Sequence, residues 1–278
     1  MLHETVPLSV PGASEAAMLT TYIPASSPEL GPDRRRPALI ICPGGGYHFL
    51  SDREGEPVGL GYAAFVLRYS LPPQSPWPIP QRQLLAAIDH VRTNAERYHV
   101  KPDAVIPMGF SAGGHLAGCA ATLWNRPEVY RPLKKKSPAF RPDGAVLCYP
   151  VVTSGDYAHR DSFRRLLGDR YDELLETASL EKRVTRRTPP MFLWHTADDT
   201  SVPMENALLL DKALTARGVD HELRIYPHGS HGQSLADRTV FAPDQLHRLS
   251  TACAVWVAHC DAWLQHRFGG CASKEGEE

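Results

Sequence analysis

The run Met108-Gly109-Phe110-Ser111-Ala112-Gly113-Gly114-His115 constrains this chain more than any other stretch. A short apolar segment, Val105-Ile106-Pro107-Met108, leads into it, and a small-residue segment from His115 to Ala121 leads out. The pattern reads as a buried strand, a tight turn carrying a serine, and a helix. Gly109 and Gly113 flank Ser111 in the Gly-x-Ser-x-Gly spacing of a nucleophile elbow. A serine held in a strained turn leaves no room for side chains two positions before and after it. The turn lifts the hydroxyl above the sheet. It also leaves the Ala112 N–H at the positive end of the following helix, where an oxyanion can sit.

Around this turn strand-like and helix-like segments alternate. Thr5–Val10 and Ala17–Ile23 are expected as an antiparallel pair at a sheet edge. Pro37–Cys42, Ala63–Tyr69, residues 104–110, Ala145–Val152, Met191–Ala197 and His221–Tyr226 read as further strands, mostly continuous apolar runs of the kind buried on both faces. Helices are expected at Glu54–Ala64, at Gln81–Tyr98 with apolar residues at 84, 85, 88 and 91, at 112–124, at Glu205–Arg217 closed by Gly218, and within Pro243–Phe268. The alternation predicts an α/β fold with a largely parallel sheet covered by helices on both faces. Residues 1–268 are expected as a single domain, and the charged tail 269–278 as disordered. The stretch at about 153–188 is the longest insertion at the carboxyl end of the sheet. It includes Ser162–Gly168, a short helix with a glycine stop, and is expected as a low wall rather than a large cap.

The formal net charge of −1 points to neither nucleic acid nor an acidic membrane surface. The clusters Arg34–Arg36 and Lys134–Lys136 are flanked by prolines and read as solvated loops. The six cysteines form no Cys-x-x-Cys pair and read as reduced core residues of a cytoplasmic protein. No His/Cys cluster has metal-ligand spacing, and the neighbours His228 and His231 lack a third ligand, so no metal is expected. Gly59-Leu60-Gly61-Tyr62-Ala63-Ala64 imitates a dinucleotide fingerprint but precedes a strand where the fingerprint follows one, so no cofactor is expected. The N-terminus shows no leader-like apolar core, and no run approaches the length of a membrane span.

A serine nucleophile needs a base, and the base needs an acid to orient it. In a parallel sheet these belong in loops after the carboxyl ends of later strands. Asp198-Asp199-Thr200-Ser201-Val202-Pro203 follows one such strand, and Pro227-His228-Gly229-Ser230-His231-Gly232 follows the next. His231, bracketed by glycines, is the expected base, with His228 the runner-up. Asp199 is the expected acid from its Asp-x-x-Val-Pro spacing, with Asp198 shaping the loop through backbone N–H groups. Pro43-Gly44-Gly45-Gly46-Tyr47 supplies an oxyanion loop, whose donors are expected to be Gly45 and Gly46 together with Ala112. His115 is read as a packed, hydrogen-bonded histidine, while His48 and His195 lie near the sheet top. Tyr47, His48 and Phe163 are the candidate substrate contacts, with Tyr47 confining the acyl side.

Pro-Gly-Gly-Gly-Tyr (43–47), Glu-Gly-Glu-Pro-Val (54–58), Gly-Phe-Ser-Ala-Gly-Gly-His-Leu (109–116), Thr-Pro-Pro-Met-Phe-Leu-Trp-His-Thr-Ala-Asp-Asp (188–199) and Gly-Ser-His-Gly (229–232) occur in this order. Together they resemble the α/β-hydrolase carbohydrate-esterase group that includes bacterial acetyl xylan esterases and feruloyl-esterase-like domains. The order Ser, Asp, His is that of the α/β-hydrolases. The resemblance covers roughly residues 35 to 240 and places Ser111, Asp199 and His231 on the group's triad positions. It implies removal of short acyl groups, acetyl first, from hemicellulose fragments, with a small-molecule or oligosaccharide ester as partner. Pro43 stands where many esterases of this fold have histidine, so that histidine's bracing bond is absent. The competing readings are a peptidase or amidase or a general short-chain carboxylesterase of the same fold, and a non-catalytic binding protein. Both Ser111 and His231 are present, which speaks against the last.

Overall fold

The computed structural model describes residues 1–25, 31, 34–55 and 62–269. Its centre is an eight-stranded sheet made of β1 (Thr5–Leu8), β2 (Ala17–Tyr22), β3 (Arg36–Cys42), β4 (Ala63–Arg68), β5 (Val100–Phe110), β6 (Ala145–Cys148), β7 (Met191–Thr196) and β8 (His221–Tyr226). The spatial order is β1-β2-β4-β3-β5-β6-β7-β8. β1 and β2 form the expected antiparallel edge, β2 pairs antiparallel with β4, and every later pairing is parallel. This is the α/β-hydrolase architecture.

The apolar runs are continuous because the central strands are covered on both sides. Alternate residues of β3 divide between two cores: Ala38, Ile40 and Cys42 join the larger one, Leu39 and Ile41 the smaller. β7 divides in the same way, with Met191 and Leu193 on one face and Phe192 and Trp194 on the other. The helices are α1 (Ile79–Thr93), α2 (Ala112–Leu123), α3 (Pro127–Tyr130), α4 (Arg160–Leu167), α5 (Tyr171–Leu174), α6 (Glu205–Arg217) and α7 (Trp256–Phe268). The buried faces of α1, α2 and α6 belong to the larger core, and that of α7 to the smaller. α6 ends at Gly218, whose φ of 64° lets its N–H turn back to the carbonyls of Leu214 and Thr215.

Several expected boundaries shift. α1 starts at Ile79 and stops at Thr93, short of Tyr98. β6 ends at Cys148, before Val152, because the chain turns at Tyr149 with φ 37°. The C-terminal helix is confined to 256–268, since 3-10 turns occupy Pro243–Arg248 and Thr251–Cys253. The helix expected at Glu54–Ala64 falls largely on residues 56–61, which lie outside the described residues; Asp52–Glu54 before them is a 3-10 turn, and Ala63 already begins β4. The tail beyond residue 269 also lies outside them. The insertion at 153–188 holds α4, which Gly168 closes at φ 53°, then α5 and a 3-10 turn at Leu180–Lys182. Among the described residues no helix is long and apolar enough to cross a membrane.

Candidate active site

The elbow follows from close packing at the carboxyl end of β5. Ser111 takes φ 54° and ψ −117°, a strained conformation for a residue with a side chain. A side chain at Gly109 would begin 2.0 Å from the Gly113 carbonyl oxygen, and one at Gly113 would begin 2.0 Å from the Cys42 carbonyl oxygen. Both positions therefore exclude every other residue. Two backbone bonds clamp the turn: the Ser111 N–H donates to the Cys148 carbonyl at 3.0 Å, and the Ser111 carbonyl accepts from Val151 at 3.1 Å.

Ser111 Oγ lies 2.7 Å from His231 Nε2, and His231 Nδ1 lies 2.6 Å from Asp199 Oδ2. The other Asp199 oxygen accepts from the Ser201 and Val202 N–H groups at 2.9 and 3.0 Å, which fixes the carboxylate's orientation. Burial works against the Asp199 charge, but the hydrogen bond and charge of His231, with the Val202 N–H, hold its pKa below the ordinary aspartate value. Asp198 points elsewhere, accepting the Gly229 N–H at 2.7 Å with His228 Nδ1 at 3.5 Å. His228 is exposed, and the imidazole that meets Ser111 Oγ is that of His231.

The glycine loop after β3 reaches the elbow from the other side. Gly45 and Gly46 line the cleft with Ser111, and among the described residues no backbone carbonyl accepts from their N–H groups. Ala112 is the first residue of α2, so its N–H belongs to the unpaired first turn. The bracing histidine missing at Pro43 has substitutes. The Tyr69 hydroxyl donates to the Pro43 carbonyl at 2.7 Å, and the Gly44 N–H donates to Glu54 Oε2 at 2.8 Å. The Tyr47 hydroxyl meets His115 Nδ1 at 2.8 Å, and His115 Nε2 lies 2.7 Å from the Ala178 carbonyl. His115 is thus a packed histidine; burial lowers its pKa to about 4, against the upward pull of the Ala178 carbonyl.

Two of the expected substrate contacts need correction. Tyr47 and Phe163 are each 1% exposed and pack around His115, behind the cleft wall. Their aromatic bulk is used in holding the glycine loop and α4 against α2. His48 does line the cleft, beside the exposed ring of Phe49. His195 is fully buried, with Nδ1 engaged by the Thr196 backbone, and does not reach the cleft.

Other lining groups gave no clear signal in the sequence. His159 comes from the insertion with Nδ1 2.8 Å from Ser162 Oγ, and its pKa is lowered by burial and by His231. Glu54, at the head of the quoted Glu-Gly-Glu-Pro-Val stretch, is buried and bridges the glycine loop to Tyr149, whose hydroxyl donates to Oε1 at 2.7 Å. The Ser234 N–H in turn donates to the Tyr149 hydroxyl at 2.9 Å, so one tyrosine joins the glycine loop to the histidine loop. The cleft itself is about 480 Å³, within the range of small-molecule sites. Among the described residues no group of three or more His, Cys, Asp or Glu side chains is arranged to hold a metal ion.

The sequence profile of the family described as BD-FAE matches residues 31–214. The chain is 36% identical over 224 residues to endo-1,4-beta-xylanase B of Butyrivibrio fibrisolvens, covering 76% of this chain and 34% of that protein. It is 32% identical over 208 residues to the acetylxylan esterase of Xylanibacter ruminicola, covering 70% of this chain and 40% of that one. It therefore spans between a third and two fifths of the length of these relatives. Among solved structures, the acetyl ester-xyloside bifunctional hydrolase from Caldicellulosiruptor lactoaceticus matches with TM-score 0.79 and 35% identity, over 96% of this chain and 97% of that one. The carboxylesterase Cest-2923 from Lactobacillus plantarum WCFS1 matches with TM-score 0.84 and 26% identity, over 98% and 100%. The profile covers well over half of the sequence and includes the glycine loop, the elbow and the aspartate, so the chain belongs to the BD-FAE family of α/β-hydrolases.

Proposed function

We propose that this protein is a serine carboxylic-ester hydrolase that removes short acyl groups, acetyl first, from xylo-oligosaccharides or related sugars. The observation that carries the reading is the unbroken line from Ser111 Oγ through His231 to Asp199, with contacts of 2.7 and 2.6 Å. His231 takes the serine proton as Ser111 attacks the ester carbonyl, and Asp199 steadies the imidazolium that forms. The tetrahedral oxyanion is received by the N–H groups of Ala112, Gly45 and Gly46. His231 then gives its proton to the leaving alcohol, and a water activated by the same imidazole releases the acid.

The sugar assignment draws on the names of the relatives, an acetylxylan esterase and an acetyl ester-xyloside hydrolase. The cleft agrees with it. Its opening is bordered by α4 of a short insertion, which leaves space for a bulky alcohol. The test is to incubate the protein with acetylated xylo-oligosaccharides and follow loss of acetyl mass by mass spectrometry, with 4-nitrophenyl acetate as a second substrate. Turnover of both supports the reading. Turnover of the aryl ester alone removes the sugar assignment, and turnover of neither removes the esterase reading.

A further inference from the structure

The cleft carries more positive charge than a neutral acetylated sugar needs. Arg53, Arg165 and Arg248 all line it. Among the described residues, none of the three forms an ion pair with a carboxylate. The two carboxylates that share the lining with them are engaged elsewhere. Glu54 accepts from the Gly44 N–H and the Tyr149 hydroxyl, and Asp161 lies 3.4 Å from Arg164.

Two of the guanidinium groups are held in place, one on the histidine loop and one on the 3-10 turn that follows it. Arg248 Nη2 donates to the His231 carbonyl at 3.2 Å. Arg53 Nη1 donates to the Val240 carbonyl at 3.3 Å, and its guanidinium lies over the Phe241 ring, 5.2 Å from the centroid. Arg53 Nη2 is 3.5 Å from where a side chain on Gly232 would begin. Each group spends a single N–H on a backbone carbonyl and keeps the rest of its planar donor fork. Their position beside the base bears on which half of an ester they meet. The base that protonates the leaving oxygen must lie beside it, so groups mounted around His231 and Gly232 face the alcohol half.

We infer that the alcohol half of the preferred ester carries a carboxylate, as an acidic sugar does, and that Arg53 and Arg248 bind it, with Arg165 contributing from α4. This rests on the esterase reading above and adds the substrate's charge to it. Guanidinium forks match carboxylates in a bidentate geometry and attract them over a distance set by ionic strength.

The experiment compares a methyl glycoside of O-acetylated glucuronic acid with its uncharged uronamide. In the wild-type protein the acid should exceed the amide in kcat/KM by about tenfold at low salt, mainly through KM. That ratio should shrink as salt rises from about 20 mM to about 500 mM. Arg53→Gln and Arg248→Gln should each lower the acid-to-amide ratio by about threefold or more, and Arg165→Gln by less. The ratio within one preparation does not depend on how much of a variant is folded. A ratio at or below one, in a protein that turns over the amide, overturns the inference and leaves the esterase reading intact. A hemisuccinate ester preferred over a butyrate of the same neutral alcohol, without preference for the acidic sugar, puts the carboxylate on the acyl half and also overturns it. Turnover of none of these esters removes both readings.

Discussion

The ring of Tyr149 stands edge-on to the imidazole of His231, with centroids 5.2 Å apart and planes at 75°. The same tyrosine sits at φ 37°, donates its hydroxyl to the buried Glu54, and accepts the Ser234 N–H. It therefore ties the histidine loop to the glycine loop from within the core. Tyr149→Phe keeps the ring but strands a buried carboxylate oxygen and a buried N–H. The expected cost is about 2 kcal/mol in urea unfolding, with kcat on an acetate ester down by about tenfold and KM little changed. Unaltered stability and kcat would show that the two loops hold their positions without this link.

Ser111→Ala should leave a folded protein whose kcat/KM on 4-nitrophenyl acetate falls on the order of a thousandfold or more, since no acyl-enzyme can form. A variant retaining a tenth of the wild-type rate would remove Ser111 from its role. The two aspartates should separate sharply. Asp199→Asn removes the acceptor that fixes the His231 tautomer, whereas Asp198→Asn keeps an oxygen for the Gly229 N–H. The first should cost at least about a hundredfold more than the second in kcat, and the reverse order would exchange their assignments.

His115 gives the fold a pH dependence of its own. It is 1% exposed, and burial takes its pKa to about 4 from the ordinary 6.5. Between these values the unfolded chain binds the proton and the folded one does not, so stability rises with pH through that window. The contribution is complete above about pH 6.5 and falls away as the pH drops toward about 4. Between about pH 7 and about pH 5 the loss should be about 2 kcal/mol. His195, also buried with a lowered pKa, acts in the same direction. Urea unfolding at the two pH values should therefore show a smaller drop for His115→Gln than for the wild type, although the variant starts out less stable. Equal drops would mean that His115 does not set this dependence.

What could be read in the sequence was whatever depends on neighbours along the chain. The elbow is legible because its glycine spacing is local: a side chain at Gly109 would meet the Gly113 carbonyl, although the space at Gly113 is closed by the distant Cys42. β3 and β7 are legible because strands covered on both faces must be apolar throughout. Tyr47 belongs to the glycine loop and Phe163 to the insertion, so proximity along the chain points both toward the cleft. Which way an aromatic ring turns is decided by a distant partner, here His115 on α2. Glu54 and Tyr149 are separated by 95 positions, and their hydrogen bond leaves no periodic trace in either segment. The same holds for Arg53, which lies 187 positions from the Val240 carbonyl it reaches, and for Arg248, whose bond to the His231 carbonyl spans 17 positions of loop and 3-10 turn with no repeating pattern.

A preference for short acyl chains is expected from what the cleft lacks. Among the described lining residues, Phe49 is the sole hydrophobic side chain, and it is 56% exposed at the rim beside His48. The rest of the lining is glycine, serine, histidine, arginine and carboxylate. The bulky apolar groups nearby, Tyr47 and Phe163, are consumed by packing around His115 and offer no tunnel wall. A methylene gains about 0.8 kcal/mol only where apolar surface receives it, and one pressed against a filled wall costs more. Lengthening the acyl chain should thus bring little burial and growing interference with the glycine loop. In kcat/KM, 4-nitrophenyl acetate should exceed the butyrate, and the octanoate should be nearly inert. A rate climbing steadily from acetate to octanoate would require an apolar channel that this lining does not contain, and would move the protein toward the lipases of the same fold.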